Sequence, residues 1–112
     1  MKRYCLALDL INDKKLITQY ENWHKAENSW PEITQSIRES GILDMQIYRT
    51  GNRLTMIIET IDSFSFEHKG AMDKQNEKVQ EWETIMQQFQ QPLPWAKKGK
   101  KWTLMKNIYS LP

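Results

Sequence analysis

Residues 43–60 read LDMQIYRTGNRLTMIIET, and this stretch decides the fold. Apolar and polar side chains alternate from Leu43 to Thr50, and a second apolar-rich segment runs from Leu54 to Thr60. Alternation of this kind predicts β-strands, and the Gly51-Asn52 pair between them is typical of a tight turn. The centre of the chain is therefore predicted to be an antiparallel hairpin.

Ahead of the hairpin, the sequence predicts one strand and two helices. The segment from Lys2 to Leu10 alternates as a strand, and Leu16 to His24 carries its apolar residues at helical spacing. Ser29 and Glu32 have the spacing of a capping box, which predicts the start of the second helix. Gly41 is expected to end that helix, because glycine tolerates the left-handed conformation found after a C-cap.

Behind the hairpin, the sequence predicts two more helices, a loop and a last strand, over residues 63–73, 79–89, 90–99 and 101–109. The whole order is β-α-α-β-β-α-α-β, a split β-α-β pattern that predicts an α+β, ferredoxin-like fold. A chain of 112 residues suffices for one hydrophobic core, and no linker or repeat divides it. We therefore expect a single domain over residues 1–112.

The composition is that of a globular protein without a membrane or nucleic-acid role. No apolar run approaches the ~18 residues that a membrane helix needs. The net charge of +2 is too small to indicate nucleic-acid binding. The single cysteine, Cys5, fits a reducing compartment, so we expect a cytoplasmic protein.

The predicted sheet is apolar on both faces. In the first strand, Cys5 and Ala7 lie opposite Leu6 and Leu8. Helices in this topology cover one face, and a large uncovered apolar face is unusual in a stable monomer. We therefore expect a homodimer in which two sheets face each other.

Three side chains that suit sugar chemistry share one stripe of the first predicted helix. Tyr20 and His24 are one helical turn apart, and Trp23 is their neighbour. Histidine exchanges protons near neutral pH, and an indole supplies a flat apolar wall. The alternative interpretation is a helix that packs its aromatic face into the core, with His24 bonded to a backbone carbonyl. The other histidine, His68, lies among polar residues and is expected at the surface.

No pattern points to a metal or a cofactor. The two histidines are far apart, and no paired cysteines, glycine-rich phosphate loop or nucleophile motif is present. We therefore expect no metal ion and no cofactor.

The order of several short motifs resembles the L-rhamnose mutarotase family over essentially the whole chain. These motifs are Tyr20-x3-His24, Trp30-Pro31-Glu32, Ser40-Gly41-Ile42, Ile47-Tyr48, Asn52-Arg53-Leu54, Gln80-Glu81-Trp82 and Leu111-Pro112. The resemblance implies a dimeric α/β barrel of ferredoxin-like subunits and interconversion of the α and β anomers of a free 6-deoxy sugar. It also implies that His24 is the proton donor and that Tyr20 and Trp82 contact the sugar.

Three positions depart from the family pattern and leave the choice of sugar open. Met45 stands where the family usually has tyrosine, and Glu83 where it usually has a second tryptophan. Five residues, Lys25 to Ser29, separate His24 from Trp30 where the family usually has three. The substrate is therefore expected to be L-rhamnose, L-fucose or a related deoxyhexose.

The predicted site therefore has two groups of residues. His24 and Tyr20 are the expected catalytic pair, and the expected sugar contacts are Trp82, Glu83, Met45, Trp30 and Trp23. Glu83 is expected either to accept a hydrogen bond from a sugar hydroxyl or to act as the opposing base. Two other functions stay open on the same fold: a non-catalytic sugar-binding or regulatory domain, and a small monooxygenase without a cofactor.

Overall fold

A curled antiparallel sheet and four helices make up the chain, and the computed structural model describes all 112 residues. The strands are β1 Lys2–Leu10, β2 Ile42–Thr50, β3 Arg53–Thr60, β4 Gln90–Gln91 and β5 Thr103–Leu104. The helices are α1 Lys14–Trp23, α2 Pro31–Glu39, α3 Phe66–Gln75 and α4 Glu77–Gln87. The strand order is β2-β3-β1-β4, with β5 also paired to β1. The α+β, ferredoxin-like prediction is confirmed.

The central hairpin forms as predicted. Strands β2 and β3 pair from Thr50↔Arg53 outward, and a bulge near Ile42 shifts the register at the far end. Gly51 has a φ of 56° in the connecting turn, where a side chain would be strained. The register places Met45 opposite Ile58, and β1 then pairs with the other edge of β3.

Gly41 ends the second helix, as predicted. Its φ is 99°, and an added Cβ would meet the side chain of Ile61 at 2.9 Å. Only glycine fits this position without displacing Ile61, because both the backbone conformation and the available space exclude a side chain.

Two hydrophobic clusters form the core. The first contains Leu10, Tyr20, Leu54, Met86 and Phe89. The second contains Leu6, Ile42, Ile58 and Phe64. Trp102 packs against both clusters, so one indole joins the two halves of the core.

Three local predictions were wrong, each for a physical reason. Ser29 does not cap the second helix: Trp30 is the N-cap residue, and the hydroxyl of Ser29 donates to the carbonyl of Ala26 at 2.9 Å. The last strand is two residues long instead of nine, because only Thr103–Leu104 pairs with β1. The predicted loop contains β4, which pairs with the end of β1.

The C-terminal segment, residues 105–112, lies outside the core. Its apolar side chains are largely exposed: Ile108 by 89%, Tyr109 by 71% and Leu111 by 84%. None of the helices combines the length and the apolar character that crossing a bilayer requires.

Candidate active site

The last turn of α1 brings the imidazole of His24 onto the phenol of Tyr20. Their ring centroids are 4.4 Å apart, and Nδ1 of His24 lies 2.8 Å from the carbonyl oxygen of Tyr20. A carbonyl oxygen only accepts, so Nδ1 carries the proton in this bond. In the neutral ring, Nε2 is then the nitrogen that is free to accept a proton.

His24 opens onto a cavity of about 400 Å³, so it is not packed away in the core. The cavity is lined by Tyr20, Glu21, His24, Ile47, Tyr48, Arg49 and Leu54. Its volume lies within the range of small-molecule sites, and it combines apolar walls with a few polar groups. The backbone bond that the core-packing interpretation proposed for His24 is present, but it occupies one ring nitrogen only.

Burial shifts the pKa values of both catalytic candidates away from their usual range. The pKa of Tyr20 is raised above 10.0 because burial disfavours the phenolate, although the bond from Gln90 lowers it. The pKa of His24 is lowered below 6.5 because partial burial disfavours the imidazolium, while the bond to the Tyr20 carbonyl raises it. Near neutral pH, the pair therefore consists of a protonated phenol and a neutral imidazole.

Trp82 of α4 connects His24 to two further indoles. Its ring centroid lies 5.8 Å from that of His24, 5.9 Å from Trp23 and 5.2 Å from Trp30, in edge-to-face arrangements. Such contacts orient aromatic rings as well as burying them. The structure therefore brings together five of the seven predicted site residues: Tyr20, His24, Trp23, Trp30 and Trp82.

Of the other two predicted residues, Met45 packs against the second core cluster, which contains Ile42 and Ile58. Glu83 is half-buried on α4, and its backbone carbonyl lies 3.5 Å from the Nζ of Lys101, which donates to it.

Sequence reasoning did not single out Gln90. Its amide nitrogen donates to the hydroxyl of Tyr20 at 3.5 Å, while its amide oxygen is buried without a partner. A buried acceptor of this kind is costly unless a donor satisfies it. Nothing in the local sequence identified this residue, because its position depends on the pairing of β4 with Leu10.

An ion pair at the cavity was also not predicted. Nε of Arg49 donates to the carboxylate of Glu21 at 2.8 Å, and the same guanidinium donates to the carbonyl of Gly51. Both charged side chains are partly exposed, so the pair adds little to the stability of the fold. It supplies the cavity with a fixed donor beside a fixed acceptor. No three His, Cys, Asp or Glu side chains cluster as they would around a metal ion.

Comparison with known proteins gives one family and one fold. Residues 3–111 match the L-rhamnose mutarotase family. An L-fucose mutarotase of Xanthomonas campestris pv. campestris is 38% identical over 111 residues, which cover 99% of this chain and 89% of the relative. The crystal structure of an L-rhamnose mutarotase from Formosa agariphila superposes with a TM-score of 0.72 at 18% identity, covering 100% of both chains. Tetracenomycin F2 cyclase, a type-II polyketide cyclase from Streptomyces glaucescens, superposes with a TM-score of 0.62 at 15% identity and the same coverage.

The two structural neighbours bear on the fold, which agrees with the element order described above. The family match and the similar relative both extend over nearly the whole chain. The chain therefore belongs to the L-rhamnose mutarotase family, as its motifs predicted, and it is a sugar mutarotase, which is an isomerase.

Proposed function

We propose that this protein interconverts the α and β anomers of a free 6-deoxyhexose, and that L-fucose is the preferred substrate. The observation that carries the proposal is that the imidazole of His24 opens onto a cavity beside the phenol of Tyr20. The choice of L-fucose rests on the relative in Xanthomonas, an L-fucose mutarotase that is 38% identical to this chain. L-rhamnose, after which the family is named, is the second candidate.

The proposed reaction needs one proton to leave the anomeric hydroxyl and one to reach the ring oxygen. Nε2 of His24 takes the hydroxyl proton while the C1–O5 bond breaks, and the imidazolium then protonates the ring oxygen. The open aldehyde rotates about C1–C2, and the reverse steps close the ring on the other face. One positioned acid/base of this kind contributes roughly 10²–10⁴-fold to the rate.

The proposed roles of the other residues follow from their contacts. Tyr20 remains protonated and orients the sugar, because burial raises the pKa of its phenol. Trp82 orients the imidazole through an edge-to-face contact and offers an apolar wall to the sugar. Gln90 donates to the hydroxyl of Tyr20 and so positions the phenol for the sugar.

Saturation-transfer NMR between the two anomeric protons tests this proposal. The enzyme is expected to accelerate exchange in L-fucose more than in L-rhamnose, and both more than in D-glucose. Methyl α-L-fucopyranoside is the blank, because a glycoside lacks the free hemiacetal and cannot exchange. If L-fucose and L-rhamnose exchange no faster than in buffer while still binding, the protein is a sugar-binding domain and the proposal is wrong.

We also propose that the protein acts as a cytoplasmic homodimer. The exposed apolar tail contains Ile108, Tyr109 and Leu111, and Tyr48 exposes 57% of its surface on the hairpin. Exposed apolar groups of this number favour a partner, and a second copy of the chain supplies the same surfaces by symmetry.

Light scattering during gel filtration tests the dimer. The full chain is expected to elute with twice its monomer mass, and the variant Ile108→Ser/Leu111→Ser is expected to shift toward the monomer. The control is Trp95→Ser, which removes an apolar side chain that is also exposed but lies in the loop after β4. A full chain that remains monomeric at micromolar concentration would contradict the proposal.

A further inference from the structure

A second cavity lies on the outer side of α1 and is separate from the one beside His24. Its volume is about 470 Å³. It is lined by Gln19, Asn22, Trp23, Asn28 and Trp30. The two cavities share no lining residue, and Trp82 contacts both Trp23 and Trp30 of the outer cavity.

The lining of this outer cavity combines uncharged amides with aromatic walls. Three of the five side chains are carboxamides, two are indoles, and none is charged. The carboxamides of Gln19 and Asn22 are exposed on α1 and make no hydrogen bond within the chain. Their donors and acceptors are therefore available to a ligand.

The third amide is held in place by the short helix that follows α1. Ala26–Asn28 form a single 3₁₀ turn, and the side-chain nitrogen of Asn28 donates to the backbone carbonyl of Asn22 at 2.6 Å. This bond uses one end of the Asn28 carboxamide and leaves its oxygen free. The bond also holds the Asn28 side chain next to Asn22. Part of the entropic cost of ordering this side chain on binding is therefore already met.

We propose that this outer cavity is an accessory binding site for a neutral pyranose, distinct from the site of anomer exchange. A carboxamide donates and accepts at once, so it suits the vicinal hydroxyls of a sugar. An indole suits the apolar C–H face of the ring. The absence of charged lining groups disfavours a phosphate or a carboxylate ligand. The nearest cation on the indole wall, Nζ of Lys78, lies 5.6 Å from the ring centroid of Trp30 and contacts the aromatic ring.

The ligand comes from one of two sources, a free monosaccharide or the terminal residue of an oligosaccharide. Both present the same neutral ring to the cavity. The proposal does not depend on the exchange reaction, because a glycoside that cannot mutarotate has the same ring and hydroxyl groups.

Titration of the full-length, isotope-labelled protein with methyl α-L-fucopyranoside, followed by NMR, tests the accessory site. The indole N–H signals of Trp23 and Trp30 and the side-chain amide signals of Gln19, Asn22 and Asn28 are expected to shift together. The variant Gln19→Ala/Asn22→Ala is expected to weaken this binding about tenfold, because it removes two hydrogen-bonding groups. Both positions are exposed on a helix, where alanine is well tolerated.

The matched control is Lys15→Ala, an exposed residue on the same helix that does not line the cavity. It is expected to bind the glycoside as the wild type does. A second titration with a fucose-terminated disaccharide identifies the source: tighter binding than the methyl glycoside indicates an oligosaccharide end, and equal binding indicates a monosaccharide.

Two results would overturn the accessory site. One is a titration in which only signals around Tyr20, His24 and Glu21 shift, which would assign all glycoside binding to the inner cavity. The other is a titration in which no signal shifts. In either case the exchange assay decides the proposed mutarotase activity separately.

Discussion

The two cavities beside α1 have similar volumes but different chemistry. The inner cavity contains a histidine and a buried tyrosine whose pKa values are shifted in opposite directions. The outer cavity contains amides and indoles and has no titratable side chain. Moving a proton requires a group that changes its protonation state, whereas holding a sugar requires hydrogen bonds and an apolar wall. Only the inner cavity is therefore equipped for anomer exchange.

The largest expected effect comes from removing the imidazole. His24→Ala should lower the rate of L-fucose anomer exchange by about 10²–10⁴-fold, since the proposed proton shuttle is then absent. Glycoside binding in the outer cavity should remain, because His24 does not line it. Saturation-transfer NMR measures the first quantity and amide chemical shifts measure the second.

The control for this variant is His68→Ala. His68 is exposed on α3 and contacts neither cavity with its side chain. Its replacement should leave the exchange rate unchanged. An exchange rate in His24→Ala equal to that of the wild type would remove this imidazole from the mechanism.

The second-largest expected effect is a difference in pH dependence between the two cavities. Exchange needs the neutral imidazole, and burial lowers the pKa of His24 below 6.5. The rate should therefore begin to fall at a lower pH than it would with a free imidazole, and then decline about tenfold per pH unit. Glycoside binding in the outer cavity should stay flat over the same range.

The pH profile of kcat/KM measures this difference, because it reports ionisation in the free enzyme. An acid limb centred above 6.5 would mean that the imidazolium is favoured in the free site, contrary to the effect of burial. The alkaline limb should lie at a higher pH than it would for an exposed tyrosine, because burial raises the pKa of Tyr20.

Local patterns predicted much of the fold. Strand β1 has the predicted bounds of Lys2 to Leu10, and the central hairpin turns at Gly51 as its alternation indicated. Both depend on side-chain periodicity and turn chemistry that lie within one short stretch. The last strand was predicted too long, because local alternation does not show how many residues pair with a neighbouring strand, and only Thr103–Leu104 pairs with β1.

In the candidate site too, contacts within one helix were predictable from the sequence, and contacts between distant residues were not. Tyr20 and His24 were predictable because a spacing of four residues on a helix fixes their proximity. Gln90 reaches Tyr20 across 70 positions, and Arg49 reaches Glu21 across 28, so only the assembled fold shows these contacts. Met45 was assigned by resemblance to the family, and the strand register places it opposite Ile58, two residues before Ile47 of the cavity lining.

The smallest expected effect comes from Trp82, whose indole contacts His24 of the inner cavity and Trp23 and Trp30 of the outer cavity. Trp82→Phe keeps an aromatic ring next to His24 but reduces the contacts to Trp23 and Trp30. It should weaken both L-fucose exchange, through a higher KM, and outer-cavity glycoside binding, each by less than about tenfold.

The matched control is Trp95→Phe, because Trp95 is 64% exposed and its indole contacts Arg53 instead of either cavity. That variant should change neither quantity. If Trp82→Phe altered exchange alone, the outer indoles would hold their positions without Trp82, and the two cavities would be independent of each other. If it altered both, His24 and the outer indoles would depend on the same ring. A sugar bound in the outer cavity would then affect His24 through the orientation of Trp82.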